Sequence, residues 1–99
     1  MKKAIVTGST GFIGSSFVEF LISKGIDVLA LGRKNLNDIS SIRRKRIEGS
    51  TYLKIDMNNI SELPKQIDHI KWVVEDDCVF FNLAWGGESK LSDLNIYAQ

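Results

Sequence analysis

Cysteine, proline and histidine are nearly absent from this chain of 99 residues: Cys78, Pro64 and His69 are the sole examples of each. One cysteine cannot build a disulfide framework or a cysteine-based zinc site, and it suits a reducing compartment. One histidine without cysteine partners gives no metal-ligand set, so no metal site is expected. Cys78 opens an apolar run and reads as a small buried hydrophobe. Charge of one sign is also lacking. Thirteen basic and 12 acidic side chains leave a formal net charge of +1, which argues against a general polyanion binder. No run approaches the roughly 20 apolar residues that span a bilayer, so no membrane partner is expected. Met1-Lys2-Lys3 resembles the start of a signal peptide, but Gly8, Gly11 and Gly14 interrupt the apolar stretch and Glu19 ends it. The chain therefore reads as cytoplasmic.

What is present suffices for a packed domain: 43% apolar residues and 25% charged ones. At this length it is one domain at most. Ala4-Ile5-Val6 is a short continuous apolar run, the pattern of a strand buried on both faces. From Gly11 the period changes. Ile13, Phe17, Phe20 and Leu21 fall at i, i+4, i+7 and i+8, which predicts a helix burying that face, closed at Lys24-Gly25. Val28-Leu29-Ala30-Leu31 is a second buried-type strand, stopped by Gly32. Residues 3–32 thus read as one strand-helix-strand unit.

Arg33 to Glu48 carries six basic and two acidic residues, including the run Arg43-Arg44-Lys45-Arg46. Ile39, Ile42 and Ile47 allow a short helix there. Thr51 to Ile55 alternates, with Leu53 and Ile55 facing one way and Tyr52 and Lys54 the other, as on an edge strand. Ser61-Glu62-Leu63-Pro64 opens another short helix, and Ile67, Ile70 and Val74 lie on its face or in an irregular return. Cys78 to Ala84 is a further strand, Trp85-Gly86-Gly87 a loop, and Leu91 to Gln99 the start of a helix. Strands alternating with helices imply an α/β fold with a parallel sheet, right-handed crossovers and helices on both faces. The run Arg43–Arg46 is read as a solvated helix face. Residues 49–99 hold eight acids against four bases, so no continuous basic surface is expected and nucleic acid is not a partner.

The informative segment is Thr7-Gly8-Ser9-Thr10-Gly11-Phe12-Ile13-Gly14, with glycines every third residue where a strand hands over to a helix. Gly8 permits a sharp turn. Gly11 lets backbone approach a diphosphate, and Gly14 lets the helix pack closely on the strand. Free N–H groups and the positive end of the helix dipole then face the phosphates. The alternative is a glycine-rich turn without a ligand. A phosphate loop of the NTPase type is excluded, because no Gly-Lys pair occurs.

The pattern Thr-Gly-x-x-Gly-x-x-Gly resembles the signature of the extended short-chain dehydrogenase/reductase superfamily, which includes the nucleotide-sugar epimerases and dehydratases. Asp56-Met57, after the third strand, looks like that family's acidic-apolar pair beside the adenine ring. Asn82-Leu83-Ala84 resembles the segment that walls its cofactor site. The resemblance implies a Rossmann-like sheet of order 3-2-1-4, with further strands beyond the fourth and a substrate region not included here. Residues 1–99 would then be the N-terminal portion of an NAD(P)-binding Rossmann domain, cut from a longer enzyme.

At the end of the second strand, Leu31-Gly32-Arg33-Lys34 holds no carboxylate for a ribose 2′-hydroxyl. Gly32 leaves room and Arg33 offers a planar fork for a 2′-phosphate, which favours NADP over NAD; the alternative is that Arg33 and Lys34 form a solvated loop accepting either. The candidate cofactor-binding set is Gly8, Ser9, Thr10, Gly11, Phe12, Ile13, Gly14, Arg33, Lys34, Asp56, Met57, Leu83, Ala84 and Trp85. Trp85 either lines a sugar or nicotinamide pocket or packs its loop.

Catalysis in the superfamily resembles hydride transfer assisted by a Tyr-x-x-x-Lys pair. Tyr52 is followed four residues later by Asp56, and Tyr97 has no downstream Lys. No catalytic residue is therefore assigned. The parent protein is expected to be an NAD(P)-dependent epimerase, dehydratase or reductase acting on a nucleotide-sugar. The alternatives are a non-catalytic dinucleotide sensor and a truncated fragment without activity. Val79 to Leu83 would be an open, uncharged sheet edge, and self-association through it is expected.

Overall fold

A computed structural model describes residues 1–84. The expected elements on Trp85 to Gln99, including the loop at Gly86-Gly87 and the helix from Leu91, lie outside the described residues.

The elements alternate as the sequence implies. Strand β1 is Lys3–Thr7, helix α1 Phe12–Ser23 and strand β2 Asp27–Gly32. A short 3-10 turn at Leu36–Asp38 leads to helix α2, Ser41–Arg46, and strand β3, Thr51–Lys54. A second 3-10 segment, Met57–Glu62, runs into helix α3, Leu63–Ile70, and strand β4 is Cys78–Asn82. The sheet order is β3-β2-β1-β4 and every pairing is parallel. Thr7 pairs with Asn82 and Gly32 with Lys54. The carboxyl ends of the four strands therefore share one edge of the sheet, where open α/β sheets bind ligands.

The two central strands are apolar on both faces because both faces are covered. Ala4, Val6, Val28 and Ala30 pack with Val18 and Leu21 of α1 and with Ile39 and Ile47 on either side of α2. Ile5, Leu29 and Leu31 pack on the opposite face with Ile55, Leu63, Ile67 and Trp72. Tyr52 joins the first cluster and Leu53 the second, as the alternation of β3 requires.

The expected buried face of α1 needs correction. Leu21 is buried and Phe17 partly so, but Ile13 and Phe20 are 52% and 54% exposed. The buried stripe is Gly14, Ser15, Val18 and Leu21. The small residues at positions 14 and 15 let the helix approach β1 closely, which rotates the large side chains outward. The predicted close at Lys24-Gly25 holds. Gly25 N–H donates to Ile22 O at 2.9 Å and Ile26 N–H to Leu21 O at 3.1 Å, the two bonds of a Schellman cap. In α2, Ile42 is exposed. Arg46 of the basic run lies against α1, 5.3 Å from the Phe12 ring and 3.4 Å from the Ser15 hydroxyl it donates to.

At the opposite edge of the sheet, Lys3 gathers the return from α3 to β4. Its ammonium donates to Val73 O at 2.6 Å and lies 3.6 Å from Asp27, 3.8 Å from Glu75 and 4.6 Å from the Trp72 ring centroid. Asp77 O accepts the Lys2 N–H there, so Asp76 and Asp77 sit away from the strand ends that carry the glycine turn.

Candidate functional site

The glycine turn joins β1 to α1 at the edge formed by the carboxyl ends of the strands. Gly8 has a φ of +66°, a left-handed conformation that only glycine adopts freely. A Cβ there would also lie 2.8 Å from the Leu83 carbonyl and 2.9 Å from Ala84 N. Gly14 has a different reason. A Cβ on Gly14 would overlap the Gly8 carbonyl oxygen. Gly11 has neither constraint. Its nearest neighbour would be Gly8 O at 3.5 Å, an ordinary contact. The described residues thus set no demand for glycine at position 11, which lines the cleft with bare backbone.

Gly11 caps α1 without a side-chain hydrogen bond. The first helical bond runs from Ser15 N–H to Gly11 O at 2.9 Å. The N–H groups of Phe12, Ile13 and Gly14 thus precede the first available acceptor. N–H groups in this position, with the helix dipole behind them, are chemically suited to an anion. The turn is held from behind. Ser9 N–H and the buried Ser9 hydroxyl both donate to Leu31 O, at 3.0 and 2.8 Å.

A cleft of about 450 Å³ opens in front of the turn, lined by Gly8, Thr10 and Gly11, by Arg33, Asp56 and Met57, and by Leu83 and Ala84, which lie against Gly8. Eight of the predicted site residues are thereby brought together. Ser9, Phe12, Ile13, Gly14 and Lys34 do not line the cleft. Ser9 anchors the turn, Gly14 packs the helix, and Phe12 and Ile13 offer backbone N–H groups while their side chains are exposed. Trp85 lies outside the described residues. Leu31, Gly32, Ile55 and Asn58 line the cleft as well. Ile55 and Asn58 flank the Asp56-Met57 pair, and adjacency to it was their only signal in the sequence.

Each wall has a local cause. The Asp56 carboxylate accepts the Asn58 N–H at 2.8 Å and so starts the 3-10 segment that presents Met57. Leu83 and Ala84 are held by Thr7, whose hydroxyl accepts both their N–H groups at 2.9 and 3.0 Å. Arg33 is exposed at the cleft, and no ion pair among the described residues engages it. The expected room beside Gly32 is partly filled. A Cβ on Gly32 would come 2.5 Å from the Tyr52 hydroxyl oxygen and 2.6 Å from Thr10 Cγ2. Burial raises the Tyr52 pKa above its ordinary 10.0.

A parallel sheet of this order, with a glycine turn before the first helix and a cleft across its strand ends, defines a Rossmann-like α/β protein. A family model, described as the NAD dependent epimerase/dehydratase family, matches residues 4–75. The chain belongs to that family. No curated protein matches it by sequence. Among solved structures it is similar to the Bordetella bronchiseptica enzyme WbmG in complex with NAD and UDP, at 15% identity and a TM-score of 0.59. That match covers 87% of this chain and 26% of WbmG. It is also similar to UDP-glucose 4-epimerase from Brucella ovis in complex with NAD, at 21% identity and a TM-score of 0.53, over 98% of this chain and 27% of the epimerase. The chain thus spans about a quarter of the length of these enzymes, and at these identities the likeness is one of fold. Among the described residues, no helix is long and apolar enough to cross a membrane.

Proposed function

We propose that this chain is the N-terminal, dinucleotide-binding portion of a longer epimerase, dehydratase or reductase, and that it takes NADP in preference to NAD. The carrying observation is the bare backbone at Gly11 beside the free N–H groups of Phe12 and Ile13, facing a cleft that reaches Arg33 and Asp56. In this reading the diphosphate lies on the turn, Arg33 meets the 2′-phosphate, and Asp56 and Met57 border the adenine. Leu83 and Ala84 border the nicotinamide side. The cofactor supplies hydride exchange when bound, and these residues only hold it.

The parent's substrate is read as a nucleotide-sugar. Membership of the epimerase/dehydratase family and the likeness to WbmG and UDP-glucose 4-epimerase support this. Tyr52 commits its hydroxyl to the Lys34 carbonyl at 2.5 Å and takes no proton-transfer role in this reading. A non-catalytic sensor would use the same site. The near lack of cysteine supports a cytoplasmic setting.

Titration calorimetry of the chain with NADPH and NADH tests the reading. Saturable binding of both, tighter for NADPH, is expected. No heat with either would overturn the site, and equal affinities would overturn the preference.

A further inference from the structure

Arg33 is an exposed side chain on an unusually constrained backbone. Leu31 O, two residues before it, accepts both Ser9 bonds. Gly32 O accepts the Ile55 N–H at 2.8 Å. Lys34 O, immediately after it, accepts the Tyr52 hydroxyl at 2.5 Å. The first two are tied by backbone or by the glycine turn. The third depends on one side chain reaching over from β3.

Tyr52 is half-buried, packs on the α1 side of the sheet, and places its hydroxyl oxygen 2.5 Å from the point a Cβ on Gly32 would occupy. Thr10 Cγ2 lies 2.6 Å from that same point. Tyr52, Gly32 and Thr10 therefore interlock the corner after β2 with the glycine turn. Loss of the hydroxyl would free the backbone at Lys34 while leaving the ring in place.

We infer that Tyr52 is a positioning residue for Arg33: its bond to the Lys34 carbonyl fixes the corner from which the guanidinium meets a 2′-phosphate, and so it sets the cofactor preference without touching the cofactor. This rests on the cleft being the dinucleotide site proposed above. Burial favours the protonated phenol, which keeps the hydroxyl a donor. A guanidinium recognises phosphate through a fixed fork, so a wandering backbone degrades that contact more than contacts to adenine or ribose.

The test measures 5′-AMP and 2′,5′-ADP affinities of the chain and of Tyr52→Phe, Arg33→Met and the double variant. The expected result is tighter binding of 2′,5′-ADP by the unaltered chain. Tyr52→Phe should lose about tenfold for 2′,5′-ADP and stay within about twofold for 5′-AMP. In the Arg33→Met background, Tyr52→Phe should cost nothing further. A Tyr52→Phe protein that keeps the full preference overturns the inference, as does an equal loss for both ligands. If the unaltered chain binds neither ligand, the site itself is wrong and the inference falls with it. If it binds both equally, the glycine-turn site stands and the roles given to Arg33 and Tyr52 fall.

Discussion

The Thr7 hydroxyl donates to the Asn82 side-chain oxygen at 2.6 Å while accepting the N–H groups of Leu83 and Ala84 at 2.9 and 3.0 Å. One hydroxyl has one proton and two lone pairs, and all are used. This contact ties the end of β1 to the end of β4 and fixes the Leu83-Ala84 wall of the cleft relative to the glycine turn. Thr7→Val preserves shape but leaves three polar groups short of a partner. It is expected to cost about 2–4 kcal/mol. Thr7→Ser keeps the hydroxyl and should cost under about 1.5 kcal/mol. Urea unfolding followed by circular dichroism measures both, and equal losses would contradict the role given to the hydroxyl.

The three glycines of the turn should separate by cause. Gly8→Ala and Gly14→Ala place a Cβ against backbone, and each should destabilise the fold by at least about 2 kcal/mol. Gly11→Ala meets only an ordinary contact at 3.5 Å and should change stability by less than about 0.5 kcal/mol. It should nevertheless abolish NADPH binding. Thermal unfolding beside calorimetry makes the comparison. A Gly11→Ala protein that binds normally would remove the reason for glycine there.

Two groups predict the alkaline behaviour. Burial raises the Cys78 thiol above its ordinary 9.0; Lys3 opposes the rise, while Asp27 and Asp77 add to it. Tyr52 is raised above its ordinary 10.0, chiefly by burial. In both cases the folded state keeps its proton longer than the unfolded chain. Their contribution to stability is thus whole below the unfolded pKa and is lost as pH rises through the folded one. Stability should decline above about pH 9, and Cys78→Ser with Tyr52→Phe should flatten that decline. Iodoacetamide should alkylate Cys78 more slowly than an unfolded thiol at the same pH. Lys3→Met should slow it further.

Strand β4 stands at the edge of the described sheet, with Val79 and Phe80 39% and 48% exposed. We propose that in the chain by itself a second copy covers this edge, where further strands of the parent would otherwise pair, since an open apolar edge invites pairing. Sedimentation velocity should show a dimer for the unaltered chain and a monomer for Phe80→Lys. A monomeric unaltered chain would contradict this.

Much of the fold was legible because its signals are local. The continuous apolar runs of β1 and β2 and the alternation of β3 follow directly from which faces are covered. The glycine spacing located the turn. The buried face of α1 was not legible from size and period alone. Ile13 and Phe20 fit the helical repeat, but close approach at Gly14 and Ser15 decided which stripe turned inward. In the site, the types at Gly11, Arg33 and Asp56 carried their own chemistry. Thr7 and Tyr52 did not, since their importance arises from partners 75 and 18 residues away, a separation no window of sequence spans.

The most direct measurement follows the backbone amide resonances of the chain during titration with NADPH. The account predicts saturable shifts concentrated at Thr10, Gly11, Phe12 and Ile13, extending to Arg33 and Met57, while residues of the opposite sheet edge such as Lys3 and Trp72 stay still. Saturable binding that leaves the amides of Gly11 to Ile13 unmoved would contradict it.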